Sequence, residues 1–452
     1  MTITSTTADT QRPPISVDIF YPLAVLGSTT IWSILSGWLL YFYLPPAGKG
    51  IPLVPLALYS AVVIVNRVID AVVNPPIGYL SDHTRSRWGR RLPYMFVSVL
   101  PMLACFVLLW TPPVKGESIW NLVYLAVILG LYNIAYSFFH IPYRALLPEL
   151  ALTDRHRVRI SAWGAGFQML AMILASFAGP AFESWGYGKT ALVYAVAMLP
   201  FFYIPFLILR ERPGRQIEVA ERLNIWTSLS VTLRNKPFRI YTVAWALYWG
   251  VMTLIPAAIP FIVTEICLLT KSDTFYFYLA GVLVSLACYP LVTWLSARLG
   301  KWRVFQGSLL ASAIVLSMLL LIGAWFPIPL EVQGIVWVIL EAMALSGAIV
   351  LLPDFAAEIT DHDAKLTGQR REGIYYATWG LLDNAVTGMA LGLMPLLLLL
   401  GRSSSDPHGP LGVRMIGIVG GGMMLVAFLI FLYYPLRHRQ DGNQEVAALL
   451  ND

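Results

Sequence analysis

NRVIDAVVNPPIGYLSDHTRSRWGRR, residues 66–91, is the stretch that decides the fold. It begins inside an apolar run, carries an Arg and an Asp at depth in that run, and ends in a burst of positive charge. A charge held in hydrocarbon costs from about 2.5 to more than 10 kcal/mol unless it faces protein or a wet cavity. Arg67 and Asp70, three positions apart, share one face of a helix, so that face belongs inside a bundle of membrane helices.

The rest of the chain has the same character. Hydrophobic residues make up 58% of the 452 and charged residues 12%, where soluble domains carry about a quarter charged. Apolar runs of the roughly 20 residues that cross a bilayer recur twelve times, at 20–44, 53–81, 93–111, 118–143, 161–182, 190–210, 238–264, 274–297, 303–325, 332–353, 373–400 and 411–436. The class is therefore an all-α integral membrane protein. The first span follows a polar stretch with no basic n-region and no small-residue cleavage site, so no cleaved signal peptide is expected. Cys105, Cys267 and Cys288 lie in or beside spans without paired spacing, so neither a disulfide frame nor a metal site nor any cofactor is expected. The chain has no phosphate loop, no Gly-x-Ser-x-Gly elbow and no sizeable soluble domain, which argues against an enzyme.

The net charge of +6 needs no nucleic-acid partner. With a cytoplasmic N-terminus, only six of the 31 Lys and Arg (Lys49, Lys115, Lys189, Lys271, Arg402 and Arg414) fall on the far side. That asymmetry follows the positive-inside rule and places both termini in the cytoplasm.

The longest interior polar stretch, 210–239, divides six spans from six. PIGYLSDHTRSRWGRR after the second span corresponds to PLVTWLSARLGKWR after the eighth, and LLPELALTDRHRVRISAW after the fourth to LLPDFAAEITDHDAKLTGQRREGIYY after the tenth. Two matches at one offset indicate parallel repeats about an axis along the membrane normal, with substrate between them near mid-membrane. The organisation read from this is an N-terminal tail at 1–19, six-helix bundles at 20–210 and 238–436, a cytoplasmic linker at 211–237, and a tail at 437–452.

Gly78 and Asp82, followed by Arg87, Gly89, Arg90 and Arg91, resemble the loop signature of the major facilitator superfamily. On this reading Gly78 lets two helices approach closely, Asp82 caps or pairs across the halves, and the arginines hold the cytoplasmic side; a plain turn with positive-inside charge is the alternative. Within that superfamily, DAVVNPPIGYLSDHTRSRWGRRLPY, IPYRALLPEL and RREGIYYATWG resemble the glycoside-pentoside-hexuronide:cation symporter family, over nearly the whole chain and in order. The resemblance implies a sugar or glycoside carrier of the melibiose-permease type, working by alternating access with a co-transported cation. It places the cation-coupling positions at Arg67, Asp70, Asn74, Ser137 and His140. At Asn74 and His140 the family pattern has acids, and at Asn384, beside Asp383, it commonly has a Lys. One carboxylate with an amide, a hydroxyl and an imidazole is a weak Na⁺ site, whereas His titrates near neutral pH and an Asp beside an Arg can switch state as access alternates. H⁺ is therefore expected rather than Na⁺.

PYRALLPEL is also similar to a segment of plant sucrose:proton transporters, which implies substrate contact by Arg144. Thr29 aligns with a sugar-binding acid of melibiose permease. With Thr29 and Arg144, the substrate candidates are Tyr136, Trp379 and Asp383; Trp32, Tyr132, Tyr143 and Trp163 are further aromatics placed to stack on a sugar ring. Glu341 or Asp383 is expected to neutralise Arg144 or to accept a sugar hydroxyl, with a purely structural pairing the alternative for each. Glu149, Asp154, Arg155, Arg157 and Arg159 on one side, and Asp354, Glu358, Arg370, Arg371 and Glu372 on the other, are expected to bridge the halves and close a cytoplasmic gate in the outward-open state.

Structural readings stand beside these. Arg67–Asp70 can be a pair that only holds its helix in register, His140 can be satisfied by a backbone carbonyl, Arg144 can snorkel to the interface, and the gate charges can be a solvated loop. On function, an uncoupled facilitator or organic-anion exchanger and a transport-dead sensor or lipid-handling protein compete with the symporter. A monomer in the lipid bilayer is expected.

Overall fold

The computed structural model describes residues 15–46, 48–84, 86–150, 154–208, 235–323, 327–367, 372–400 and 411–435. Its regular structure among these residues is helical: α1 Ile15–Tyr43, α2 Leu56–His83, α3 Leu92–Leu108, α4 Ile119–Leu150, α5 Asp154–Ser176, α6 Ala178–Trp185, α7 Tyr187–Ile208, α8 Lys236–Phe261, α9 Thr274–Leu299, α10 Lys301–Ser317, α11 Leu330–Thr367, α12 Glu372–Leu398 and α13 Leu411–Phe431. One crossing follows each predicted span, with α5 and its short continuation α6 sharing the fifth. Ten helical stretches are long and apolar enough to cross a membrane, and Leu92–Leu108 and Ala385–Leu398 are shorter apolar helices. The helix is the only open-ended element that satisfies its own backbone in hydrocarbon, and that requirement makes the architecture all-α.

Several helices outrun the spans. α4 continues to Leu150, α5 begins at Asp154 and α11 reaches Thr367, so the charged stretches after the fourth and tenth spans are mostly helical extensions rather than loops. Prolines sit inside α1, α2, α3, α7, α8, α9, α11 and α12. Each removes a backbone donor, which neighbouring helices and local adjustments make tolerable in membrane helices.

The packing repeats. α1 packs on α5 and α7, α2 on α4, and α3 on α4 and α7; in the second half α8 packs on α12 and α13, α9 on α11, and α10 on α11 and α13. Position for position these are the same pairings, so the sixfold offset read in two loops extends to the helix neighbours. Between the halves α1 meets α8, α2 meets α12, and α5 and α6 meet α9. The glycines that bring backbones together are local. A Cβ at Gly130 on α4 would stand 3.2 Å from Asn66 Oδ1 on α2, and one at Gly388 on α12 would stand 2.7 Å from Arg67 Cγ. Gly78 is different. Its added Cβ would meet Ile141 Cγ2 at 3.8 Å, an ordinary contact, so close helix approach is not what requires a glycine there.

Candidate functional site

α2 and α4 carry the polar group at membrane depth. Asp70 is buried, and its Oδ2 lies 3.7 Å from Arg67 Nη1, with side-chain exposures of 12% and 25%. The pairing follows from i,i+3 spacing on one helical face. On α4, Tyr132, Tyr136 and His140 form a ladder at four-residue spacing: ring centroids lie 6.1 Å apart for Tyr132 and Tyr136, and 5.0 Å for Tyr136 and His140. Tyr136 lies within Coulombic range of Arg144, Arg67 and Asp70, which ties the ladder to the ion pair. Ser137 is buried, His140 and Asn74 are half-buried, and Arg144 is exposed. His140 Nδ1 and Asn74 Oδ1 have no hydrogen-bond partner among the described residues, so this imidazole nitrogen is not taken up by a backbone carbonyl. The structure thus brings together Arg67, Asp70, Tyr136, His140 and Arg144, with the stem of Arg67 lying against Gly388 of the other half.

Other candidates go elsewhere. Tyr143 donates from its hydroxyl to Tyr21 O at 3.1 Å, Tyr21 returns the bond to Tyr143 O at 2.8 Å, and the rings stack 4.5 Å apart; Tyr143 is a clamp between α1 and α4. Trp379 is buried in the second half. Its indole Nε1–H donates to Thr242 Oγ1 at 3.0 Å, and its ring packs on Phe238, Tyr241 and Trp245. That is a packing role, because both its face and its donor are already engaged. Glu341 accepts from Ser312 Oγ at 2.5 Å, across α10 and α11, so the partner it finds lies inside the second half rather than at Arg144. Thr29 is half-buried on α1, and Trp163 is 47% exposed on α5. Trp245 and Trp249, tilted rings 5.9 Å apart along α8 with indole nitrogens lacking partners among the described residues, were not singled out in the sequence; their four-residue spacing was the available signal.

The gate residues fall into pairs within halves. Arg91 is buried and donates from Nη1 to Ala145 O at the end of α4, 2.6 Å away. Arg159 Nη2 and His156 Nε2 both lie 2.5 Å from Asp18, which ties α5 to α1. Lys301 holds Asp354 at 2.9 Å. Gly89 has φ +105°, a left-handed turn that favours glycine, beside exposed Arg87 and half-buried Arg90. Glu358 is half-buried on α11, within Coulombic range of Tyr434. Arg370 and Arg371 lie outside the described residues, as do the side chains of Asp82, Glu149, Asp154, Arg155, Arg157, Glu372, Asp383 and Asn384. In this conformer Arg159 and Asp354 pair within their own halves.

Among the described residues, cross-half contacts gather on the side away from the described termini. Tyr41 meets Phe261 edge-on at 5.1 Å, Phe177 at the α5–α6 junction meets Phe275 at 4.6 Å, and Gly37 lies against Tyr278 and Pro256. Ile64 packs against Gly392.

Comparison with known proteins agrees with this architecture. The profile of the family described as MFS/sugar transport protein matches residues 20–438. An isoprimeverose transporter of Lactiplantibacillus pentosus is 26% identical over 92% of this chain and 88% of its own. A glucuronide carrier protein homolog of Escherichia coli (strain K12) is 25% identical over 93% and 92%. The crystal structure of nucleoside transporter NupG shares the fold with a TM-score of 0.63, at 13% identity, covering 93% of this chain and 98% of that one.

Proposed function

The chain belongs to the MFS/sugar transport protein family, and from that membership we propose that it is a secondary active transporter of the inner membrane, moving a sugar or glycoside together with H⁺ by alternating access. Both termini lie in the cytoplasm on this reading, and the bundles at 20–210 and 238–436 rock about a site between them. The observation that carries it is the Arg67–Asp70 pair at membrane depth, flanked by the Tyr136–His140 stack and abutting α12 of the other half. Asp70 takes the proton, Arg67 is its partner in the empty state, and Asn74, Ser137 and His140 complete the coupling group.

Tyr136 offers a ring face to the C–H face of a sugar, and Arg144 offers paired donors to its hydroxyls; Thr29 and Asp383 remain substrate positions on the same reading. The relatives named for isoprimeverose and glucuronide support the substrate class. The concentration of cross-half contacts on the far side, with Arg159 and Asp354 paired inside their own halves, supports a conformer open to the cytoplasm. The gate charges exchange these partners for cross-half ones when the far side opens.

Uptake of labelled sugars into vesicles under imposed pH or Na⁺ gradients tests the proposal. Accumulation driven by an inward proton gradient is expected, and stimulation by Na⁺ alone overturns the proton assignment. A second reading is an acidic glycoside or other organic anion as cargo, favoured by the exposed Arg144 two helical turns along α4 from Tyr136 and by the relative named for glucuronide. Competition by a hexuronide that is lost in Arg144→Gln, with neutral-sugar uptake unchanged, selects that reading. Initial rates indifferent to the pH gradient select an uncoupled facilitator.

A further inference from the structure

We propose that α6 and the turn ahead of α9 form the far-side gate of the transporter, with Glu183 of the first half, bonded to Ser272 of that turn, as its latch. This goes beyond the transport reading but rests on its alternating access. Glu183 Oε2 accepts from Ser272 N at 2.7 Å and from Ser272 Oγ at 2.5 Å. Ser272 lies in the turn two residues ahead of α9, where the helix dipole favours a negative group. The carboxylate that holds this turn comes from the first half of the chain, so the bond exists only while the halves are together.

A second clasp runs the other way. Lys271, from the second half, holds its ammonium 5.1 Å from the Tyr187 ring centroid and 5.7 Å from that of Tyr41, both in the first half. Burial lowers the Lys271 ammonium from its ordinary range, and the Glu183 charge opposes that fall. Between the clasps the chains touch backbone to backbone. A Cβ at Gly179 on α6 would stand 2.5 Å from Lys271 O and would overlap Thr274 Oγ1. One at Gly37 would stand 2.7 Å from Tyr278 Oη, whose hydroxyl is fixed by donation to Pro256 O at 2.7 Å. A side chain at 179 is a wedge felt most strongly by the closed far side, because the Lys271 carbonyl cannot swing away as a flexible side chain would, while Trp38 Cζ2 of its own half stands farther off at 3.1 Å.

Spin labels at Lys115 and Glu331, exposed on the far side of the two halves, report closure as a distance distribution on a background lacking the three native cysteines. A second pair at Arg87 and Ala297 reports the termini side. Glu183→Ala and Gly179→Val are each expected to raise the ratio of long to short far-side distances by about ten-fold or more, equivalent to about 1.4 kcal/mol. Lys271→Met should add to Glu183→Ala. Far-side distances unchanged in Glu183→Ala, alone and with Lys271→Met, overturn the latch even where Gly179→Val does not insert. If wild-type protein with sugar never shows the two label pairs changing in opposite senses, alternating access itself fails; if it does and the variants do not shift, only the latch fails.

Discussion

Removing either member of the Arg67–Asp70 pair should have unequal consequences, and the geometry gives the order. At 3.7 Å two unit charges attract by about 1 kcal/mol in water and about 4 kcal/mol at the effective dielectric of about 20 that suits partly buried sites. Asp70 is the less exposed member, 12% against 25%. Arg67→Met therefore strands a carboxylate at membrane depth, and breaking a buried pair from one side costs about 3–5 kcal/mol. Asp70→Asn leaves a guanidinium that is still partly hydrated and costs less. In the double variant neither charge is stranded, and stability should return to within about 1 kcal/mol of the parent, because well-packed neutral replacements of buried pairs are often neutral. Melting followed through the 15 tryptophans ranks the four proteins. Additive losses in the double variant refute the pairing, whatever the single values. Transport separates pairing from coupling: Asp70→Asn should abolish concentrative uptake and keep sugar exchange, and persistent accumulation would move the coupling site elsewhere.

Other perturbations follow from single contacts. Asp18→Asn removes the buried carboxylate shared by His156 and Arg159 and should lower the melting temperature more than Arg159→Met, since Arg159 is 53% exposed and Asp18 only 2%; equal shifts would deny the buried end its dominance. Gly417→Val on α13 drives a side chain into the Leu316 carbonyl of α10 and should prevent stable insertion, whereas Gly166→Ala, with nothing within 4 Å of its added carbon, should be neutral or gain up to about 1 kcal/mol in helix propensity, as melting curves will register. Trp379→Phe loses the bond to Thr242 and should cost about 1 kcal/mol of stability with an unchanged KM for sugar; a raised KM at unchanged stability would return Trp379 to the substrate site.

Much of the architecture was legible because hydropathy and length act segment by segment. Each of the twelve spans has its helix, and the two loop matches at a six-span offset foretold helix neighbours that repeat between halves. The partners of single side chains were less legible. Tyr143, Trp379 and Glu341 lie on the expected helices, but the neighbour each one meets could not be read, since a membrane helix meets apolar surroundings both in lipid and against its neighbours. A soluble helix shows its buried stripe; α4 and α12 do not. Gly78 was assigned a close approach that the structure gives to Gly130, Gly388 and Gly392, for glycines look alike until the opposing atom is known.

What the sequence by itself determined is the set of spans, the class, the doubling of the unit and the presence of Arg67 and Asp70 on one face of one helix. These rest on transfer free energies summed along a segment and on helical spacing, neither of which needs a neighbour. Only the tertiary structure decided which polar groups pair: Arg159 with Asp18, Lys301 with Asp354, Glu183 with Ser272. A pair energy depends on the relative rotation of two helices and on the conformer in which they meet, and Glu183 and Ser272, 89 residues apart in the chain, share no local pattern that would join them.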